Sequence, residues 1–325
     1  MKPVASLSLD LDNQWSYMKT HGDAGWDAYP SYLDVVVPRV LDFLAARGLT
    51  ITFFVVGQDA ALERNHDALR ALSAAGHEIG NHSFRHEPWL HLYSETELED
   101  ELARAEDAIG VATGARTEGF RGPGYSLSDT TLQVLVRRGY RFDASTLPTY
   151  IGPLARAFYF RSAHLDEEQR RERSQLFGSY RDGLRPVAPY RWAVGEQTLL
   201  EIPVTTMPVV KVPIHVSYLL YLSASSPALA RAYLATALEA CKLANIGPSI
   251  LLHPLDFLAA DDADALAFFP GMGLPLERKL ETVAMSLELL TRRFDVEPLG
   301  EHARILDQDS RLRVRAPNFE PVHAS

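Results

Sequence analysis

The 325-residue chain has a single cysteine, Cys241. One thiol excludes an internal disulfide framework and fits a reducing compartment. Cys241 sits in the run Leu-Glu-Ala-Cys-Lys-Leu-Ala, a helical pattern in which a thiol serves as a small core side chain. Positive charge is scarce: 32 Lys and Arg stand against 42 Asp and Glu, a net charge of -10. The bulk field therefore disfavours a nucleic-acid partner. No stretch reaches the roughly 18 to 20 apolar residues of a membrane-spanning helix. No charged and apolar leader precedes the first predicted strand, which begins at about residue 4, so the expectation is a cytoplasmic protein. What the chain does have is a hydrophobic fraction of 46%, enough for a full core in one large domain or two ordinary ones.

The first segment carries a geometric signal. Leu7, Leu9 and Leu11 alternate with Ser6, Ser8, Asp10 and Asp12. Period two is strand periodicity, so the two carboxylates share one face. Carboxylates so placed repel each other and cost desolvation, which a cation bound to one of them relieves. The other is then free to act as a base. Farther on, His82 and His86 follow a short apolar strand end in Gly-Asn-His-Ser-Phe-Arg-His. A turn or helix start there puts positions four apart on one side. One carboxylate and two imidazoles are a set that zinc accepts, and three protein ligands leave a position open for water.

Strands are expected over residues 4–10, 51–56, 77–80, 118–121, 140–144, 199–204 and 249–253. Helices are expected over 38–46, with Pro38 at its first position, 67–75, 129–138, 228–244 and 276–293. Another runs from the capping-box signature Ser94-Glu-Thr-Glu97 to about residue 109. Alternating strands and helices argue for a parallel sheet or a barrel. Reactive residues in such folds gather at strand C-terminal ends. Asp10, Asp12, His82, Arg121, Asp143 and His253 all lie at or just beyond such ends. The expected fold is α/β, a distorted (β/α) barrel of about seven strand–helix units against the eight of a regular barrel. It would span residues 1–300, with an insertion at about 146–197 and a surface tail over 301–325.

Five short motifs in fixed order resemble those of the polysaccharide deacetylase family, also called carbohydrate esterase family 4 or the NodB homology fold. They are Asp10-Leu-Asp12, His82-Ser-Phe-Arg-His86, Arg121-Gly-Pro-Gly124-Tyr125, Phe142-Asp143-Ala-Ser145 and Leu251-Leu-His253-Pro. The ordered set is far more specific than any one motif. The resemblance spans about residues 4–295, the middle section excepted. Many members have adjacent carboxylates in the first motif. The leucine between Asp10 and Asp12 resembles an Asp-x-Asp branch, and it weakens the expectation of an extracellular polymer as substrate.

The resemblance implies roles. Asp12, His82 and His86 would hold one divalent ion, zinc by expectation, and Asp10 would take a proton from the attacking water. Arg121 would orient Asp10 and keep it charged. The third-motif loop, Gly124 and Tyr125, would face the substrate, with a backbone N–H at about Gly124 binding the oxyanion. His253 would protonate the leaving amine, and Asp143 would keep His253 protonated. The first loop carries Trp15, Tyr17, Trp26 and Tyr29, with Trp15 a candidate for stacking on a sugar ring. The apolar stretches 147–160 and 207–222 fit either a small core over the barrel or a surface at the site mouth that takes a lipid tail or touches a membrane. The expected activity is metal-dependent removal of an N-acyl group, acetyl first, from an amino sugar. The substrate would be a lipid-linked or other glycan precursor, met in the cytoplasm or at the inner membrane surface. Alternatives are a deformylase or other C–N amide hydrolase of the same fold, and a non-catalytic carbohydrate-binding relative. The complete set of base, ligands and acid argues against the last.

Overall fold

In a computed structural model, which describes residues 2–152, 180–269 and 271–319, the alternating first segment is the strand β1 (Val4–Leu11). There follow α1 (Gln14–His21), α2 (Leu33–Ala45), β2 (Thr52–Val55), α3 (Gly57–Ala60), α4 (His66–Ala74), β3 (Glu78–Asn81) and α5 (Glu95–Thr113). Next are β4 (Gly119–Phe120), α6 (Asp129–Arg137), β5 (Phe142–Asp143), β6 (Tyr190–Val194) and β7 (Gln197–Glu201). The chain continues with α7 (Val216–Ser225), α8 (Pro227–Leu243), β8 (Ser249–Leu252), α9 (Leu276–Arg293), β9 (Asp295–Glu297), α10 (Leu299–Leu306) and β10 (Val314–Arg315).

The described residues form one sheet of ten strands in the order β10-β6-β7-β5-β4-β3-β2-β1-β8, with β9 beside β1. Every pairing is parallel except β6 with β7. The α/β class is as expected, and the sheet does not close by a strand ladder. Across the gap, just beyond β7, the Thr205 N–H donates to the Ser249 carbonyl at 2.9 Å and the Ser249 N–H donates to Thr205 Oγ1 at 2.8 Å.

The two faces of each strand meet different partners because side chains alternate. Leu7, Leu9, Leu11, Phe53 and Val55 point to the helical layer, where α2 and α4 contribute Val36, Val40, Leu44, Leu69 and Leu72. Phe54, Phe142, Leu200 and Ile202 point the other way and pack with Leu299 and Ala303 of α10. Gly119 makes room for this filling: a Cβ there would lie 2.1 Å from the Phe142 ring. Helix α10 plugs the N-terminal end of the strands, with the Leu299 N–H on Thr52 Oγ1 at 2.7 Å and His302 Nδ1 3.0 Å from Ser6 Oγ. Asp10 and His82 stand at the opposite end, where β1 and β3 finish.

Several expectations change. Pro38 lies inside α2 rather than at its start. A proline removes one helical hydrogen bond, and the buried Val36, Val37, Val40 and Leu44 keep the helix continuous across it. Residue 300 falls within α10, and β10 pairs with β6, so of the expected tail at 301–325 residues 301–315 are part of the fold, and 320–325 lie outside the described residues. Of the expected insertion, residues 153–179 lie outside the described residues, and with them the charged run at 166–173 and most of the apolar stretch 147–160. Its last part is β6, a strand of the main sheet. The other apolar stretch is divided: α7 buries Val216 and Leu219, while the preceding turn leaves Val209 91% and Val210 54% exposed. Among the described residues, no helix is long and apolar enough to cross a membrane.

Candidate active site

Strand register assembles the site. Leu9 stands opposite Leu252, and Asn81 opposite Phe120. One residue further, at the open end, Asp10 neighbours His253 and His82 neighbours Arg121. Because alternation sends Leu9, Leu252 and Phe120 outward, these next residues turn inward together.

Asp12, His82 and His86 are buried, and their ligand atoms all lie within 4.8 Å of one another. Asp12 Oδ1 is 3.2 Å from His82 Nε2 and 2.9 Å from His86 Nε2. The Nδ1–H of His82 donates to the Arg121 carbonyl at 2.6 Å, which leaves Nε2 to face Asp12. The chain must reverse sharply to bring His86 back beside His82, and Ser83 and His86 both adopt positive φ, 61° and 53°. Such backbone is strained for residues other than glycine. Hydrogen bonds hold it: Asn81 Oδ1 accepts the Ser83 N–H at 2.8 Å, and the buried Glu101 accepts those of Phe84 and Arg85 at 3.0 and 2.5 Å. Burial raises the Asp12 carboxyl, but His86 and His82 outweigh it and hold Asp12 well below the usual carboxylate range. Burial likewise lowers His82, and the charges of Asp10 and Asp12 more than reverse this. The charged form of His82 is thus favoured beside the Asp12 carboxylate, at the spot where a cation would sit. One carboxylate oxygen and two imidazole nitrogens fit a divalent ion such as zinc.

Asp10 accepts a hydrogen bond from Arg121 Nη1 at 2.6 Å. Arg121 is fully buried, donates also to Ser8 Oγ at 2.8 Å and the Ala144 carbonyl at 2.9 Å, and lies over the Phe54 ring at 4.3 Å. His253 is half-buried, with Nδ1 3.1 Å from Ser217 Oγ, and Ser217 donates to Asp256 at 2.8 Å. Three phenols surround this group. Burial first, then the Asp12 charge, raises Tyr17 well above its ordinary value. Burial and Asp10 raise Tyr125, and burial raises Tyr218. In the third-motif loop Gly124 and Tyr125 both have positive φ, 58° and 63°. The Tyr125 N–H donates to the Gly122 carbonyl at 3.0 Å.

The polysaccharide deacetylase family profile matches residues 23–142. Over that stretch the chain is similar to the polysaccharide deacetylase family. A peptidoglycan deacetylase of Helicobacter pylori is 28% identical over 114 residues, 35% of this chain and 38% of that protein. A chitooligosaccharide deacetylase of Sinorhizobium fredii is 31% identical over 134 residues, 39% of this chain and 61% of that protein. The chain therefore spans less than two thirds of the length of these relatives. A solved structure described as a polysaccharide deacetylase from Mycobacterium smegmatis superposes with TM-score 0.64 at 20% identity, covering 99% of this chain and 96% of that one. A second, from Pseudomonas aeruginosa, gives TM-score 0.59 at 17% identity, covering 94% and 91%. The matched stretch of the polysaccharide deacetylase profile includes His82, His86 and Arg121. Asp10, Asp12 and His253 lie outside it and join the site through strand pairing.

Two expected site residues point elsewhere. Asp143 does not serve His253. It stands between Phe142 and Ala144, which face the Phe54 cluster, so alternation turns it to the opposite side. There it accepts the Ser145 hydroxyl at 2.5 Å and faces the buried Glu201, and Ser145 Oγ in turn accepts the Gly122 N–H at 2.8 Å. Asp143 thus supports the third-motif loop, and the carboxylate beside His253 is Asp256. Trp15 offers no stacking face. It is 1% exposed, stands edge-on to Tyr29 and His86, and donates its indole N–H to Asp59 at 2.9 Å. The half-buried Tyr17, Trp26 and Tyr29 carry the accessible aromatic surface of that loop.

Sequence reasoning missed Asp59, Glu101, Ser217 and Asp256. Asp59 follows the end of β2 and ties the first loop down by accepting from Asn13 at 2.7 Å as well as Trp15. Burial pushes its carboxyl up to about 7 despite these donors. Asp256 had a usable signal, an acid three residues after His253 at a strand end. Ser217 had none, because a helix distant in sequence delivers it.

Proposed function

We propose that this protein is a metal-dependent hydrolase that removes an N-acyl group, acetyl in the first instance, from an amino sugar. The observation that carries this reading is the arrangement at one end of the sheet. The Asp10–Arg121 pair, the Asp12–His82–His86 trio and His253 occupy adjoining strand ends. The deacetylase names of the matched relatives agree with it.

Asp12, His82 and His86 would hold a divalent ion, zinc by donor set, which supplies Lewis-acid polarisation of the amide carbonyl and acidifies water. Asp10, oriented by Arg121, takes the proton as water attacks. The Gly124 N–H receives the developing oxyanion, a contribution of roughly 3 to 4 kcal/mol in comparable sites. His253 protonates the departing nitrogen. The products are a free amino sugar and a short carboxylic acid.

The substrate we favour is a glycan precursor with an apolar tail, met in the cytoplasm or at a membrane surface. Its support is the exposed Val209–Val210 turn, which follows β7 at the same end of the strands as His82. A tail gains about 0.8 kcal/mol per buried methylene. The test is acid release by zinc-loaded protein from a panel of N-acetyl and N-formyl amino sugars, free and lipid-linked. Expected are one zinc per chain, loss of zinc in His82→Ala, and acetate release fastest from a lipid-linked substrate. Formate release alone would make the protein a deformylase. Sugar binding without hydrolysis would make it a non-catalytic relative. Equal rates on free and lipid-linked sugars would remove the tail.

A further inference from the structure

We propose that Ser217 and Asp256 form a positioning relay that fixes the tautomer of His253 and stabilises its protonated form. The proposal rests on the reading of His253 as the acid that protonates the leaving nitrogen. It assigns to these two residues the part that the motif pattern gave to Asp143.

The argument is one of donors and acceptors. An ionised carboxylate only accepts, so the Ser217 hydroxyl donates its proton to Asp256 Oδ1 at 2.8 Å. That proton is then committed, and toward His253 Nδ1, 3.1 Å away, Ser217 Oγ can only accept. Nδ1 therefore carries hydrogen, and Nε2 is left for the pocket. His82 uses the same device, with the Arg121 carbonyl in place of the serine. The second oxygen of Asp256 accepts the His253 backbone N–H at 2.8 Å, so both oxygens of this buried side chain serve His253. Lys279, also buried, donates to the Leu255 and Leu258 carbonyls at 2.9 and 2.7 Å and pins the turn that carries Asp256.

The other groups around His253 do not replace the relay. His215 lies 6.1 Å away between ring centroids, and burial pushes it down to about 3, so it stays neutral. Asp10 is the neighbour across β1 and β8 and is engaged by Arg121. Tyr17 feels the Asp256 charge and, held well above its ordinary value, stays neutral. Lys279 is a cation acting on Asp256, and it faces backbone carbonyls.

The experiment uses the full chain, loaded with zinc, in four forms: wild type, Ser217→Ala, Ser217→Thr and Asp256→Asn. The His253 side chain is followed by 15N NMR through a pH titration, and kcat against pH is measured beside it. In wild type the neutral ring should carry its proton on Nδ1. Ser217→Ala should mix the tautomers and lower kcat about 10-fold or more, with metal content unchanged. Asp256→Asn removes an anion that favours the imidazolium. The His253 titration and the alkaline limb of kcat should then both move to lower pH by about one unit. Ser217→Thr keeps the hydroxyl and should keep the wild-type tautomer and kcat, which a purely structural role of the serine would not require. A wild-type ring protonated on Nε2, unmixed tautomers in Ser217→Ala, or an unshifted His253 titration in Asp256→Asn would overturn the relay. If wild type releases no acid from any substrate, the hydrolase reading fails, and the NMR titration still decides the relay.

Discussion

Replacing Arg121 with methionine isolates the pair that holds the proposed base. Methionine can cover the Phe54 ring much as the arginine stem does, but it donates nothing. Three hydrogen bonds disappear: Nη1 to Asp10 at 2.6 Å, Nη1 to Ser8 at 2.8 Å and Nε to the Ala144 carbonyl at 2.9 Å. Leaving one member of a buried ion pair uncompensated costs about 3 to 5 kcal/mol. An orphaned buried carbonyl adds about 1 to 3 kcal/mol. The two overlap where the site relaxes, so the expected loss is about 5 kcal/mol. At about 2 °C per kcal/mol for a large domain, Tm falls by about 10 °C. The companion is the double variant Asp10→Asn with Arg121→Met, which removes the stranded charge as well. It should regain about 3 kcal/mol, the part due to the uncompensated charge, while remaining inactive. Urea denaturation of all three proteins in a chelator keeps metal binding out of the comparison. A loss below about 1 kcal/mol in the single variant, the range of exposed pairs, would refute the reasoning. So would a double variant less stable than the single one.

Asp10→Asn alone should bind zinc normally and lose about 10²- to 10⁴-fold in acid release, since an amide cannot accept the water proton; metal analysis beside a rate assay checks both halves, and near-normal turnover would remove Asp10 as the base. Gly119→Ala drives a methyl into the Phe142 ring, where a Cβ would lie 2.1 Å from a ring carbon. Overpacking of this kind costs about 1 to 3 kcal/mol, so an unchanged denaturation midpoint would mean the lumen is not filled as described. Asp59 is raised from 3.8 to about 7, by burial first and against the donors Asn13 and Trp15. A carboxyl raised on folding stabilises below its unfolded value and loses that contribution as pH rises through the folded one. Asp59→Asn should therefore gain stability relative to wild type between about pH 4 and 7, by up to about 4 kcal/mol. A flat difference across that window would show that Asp59 does not titrate there.

The sequence by itself determined the elements of the site and their order. Alternation in Ser6–Asp12 put Asp10 and Asp12 on one strand face, and the His82–His86 spacing paired two imidazoles. Alternation is a local rule that β1 obeys, while the histidine pair also needs the strained turn at Ser83 and His86 that Glu101 helps to hold. The α/β class was legible for the same reason, since apolar runs separated by amphipathic helices leave few alternatives. What alternation decides beyond one strand needed the register. Asp143 sits at a strand end like the others, but neighbouring Phe142 and Ala144 claim the inner face and turn it outward. Trp15 looked like a ligand platform because aromatic loops often are. Its indole instead satisfies Asp59, a carboxyl forty-four residues away. The carboxylate that serves His253 is three residues downstream, yet it reaches the ring through Ser217, thirty-six residues upstream on α7. Such assignments depend on which polar groups meet when the chain is packed. Each buried donor and acceptor must find a partner, and that partner is chosen by tertiary proximity, which spacing along the chain does not encode.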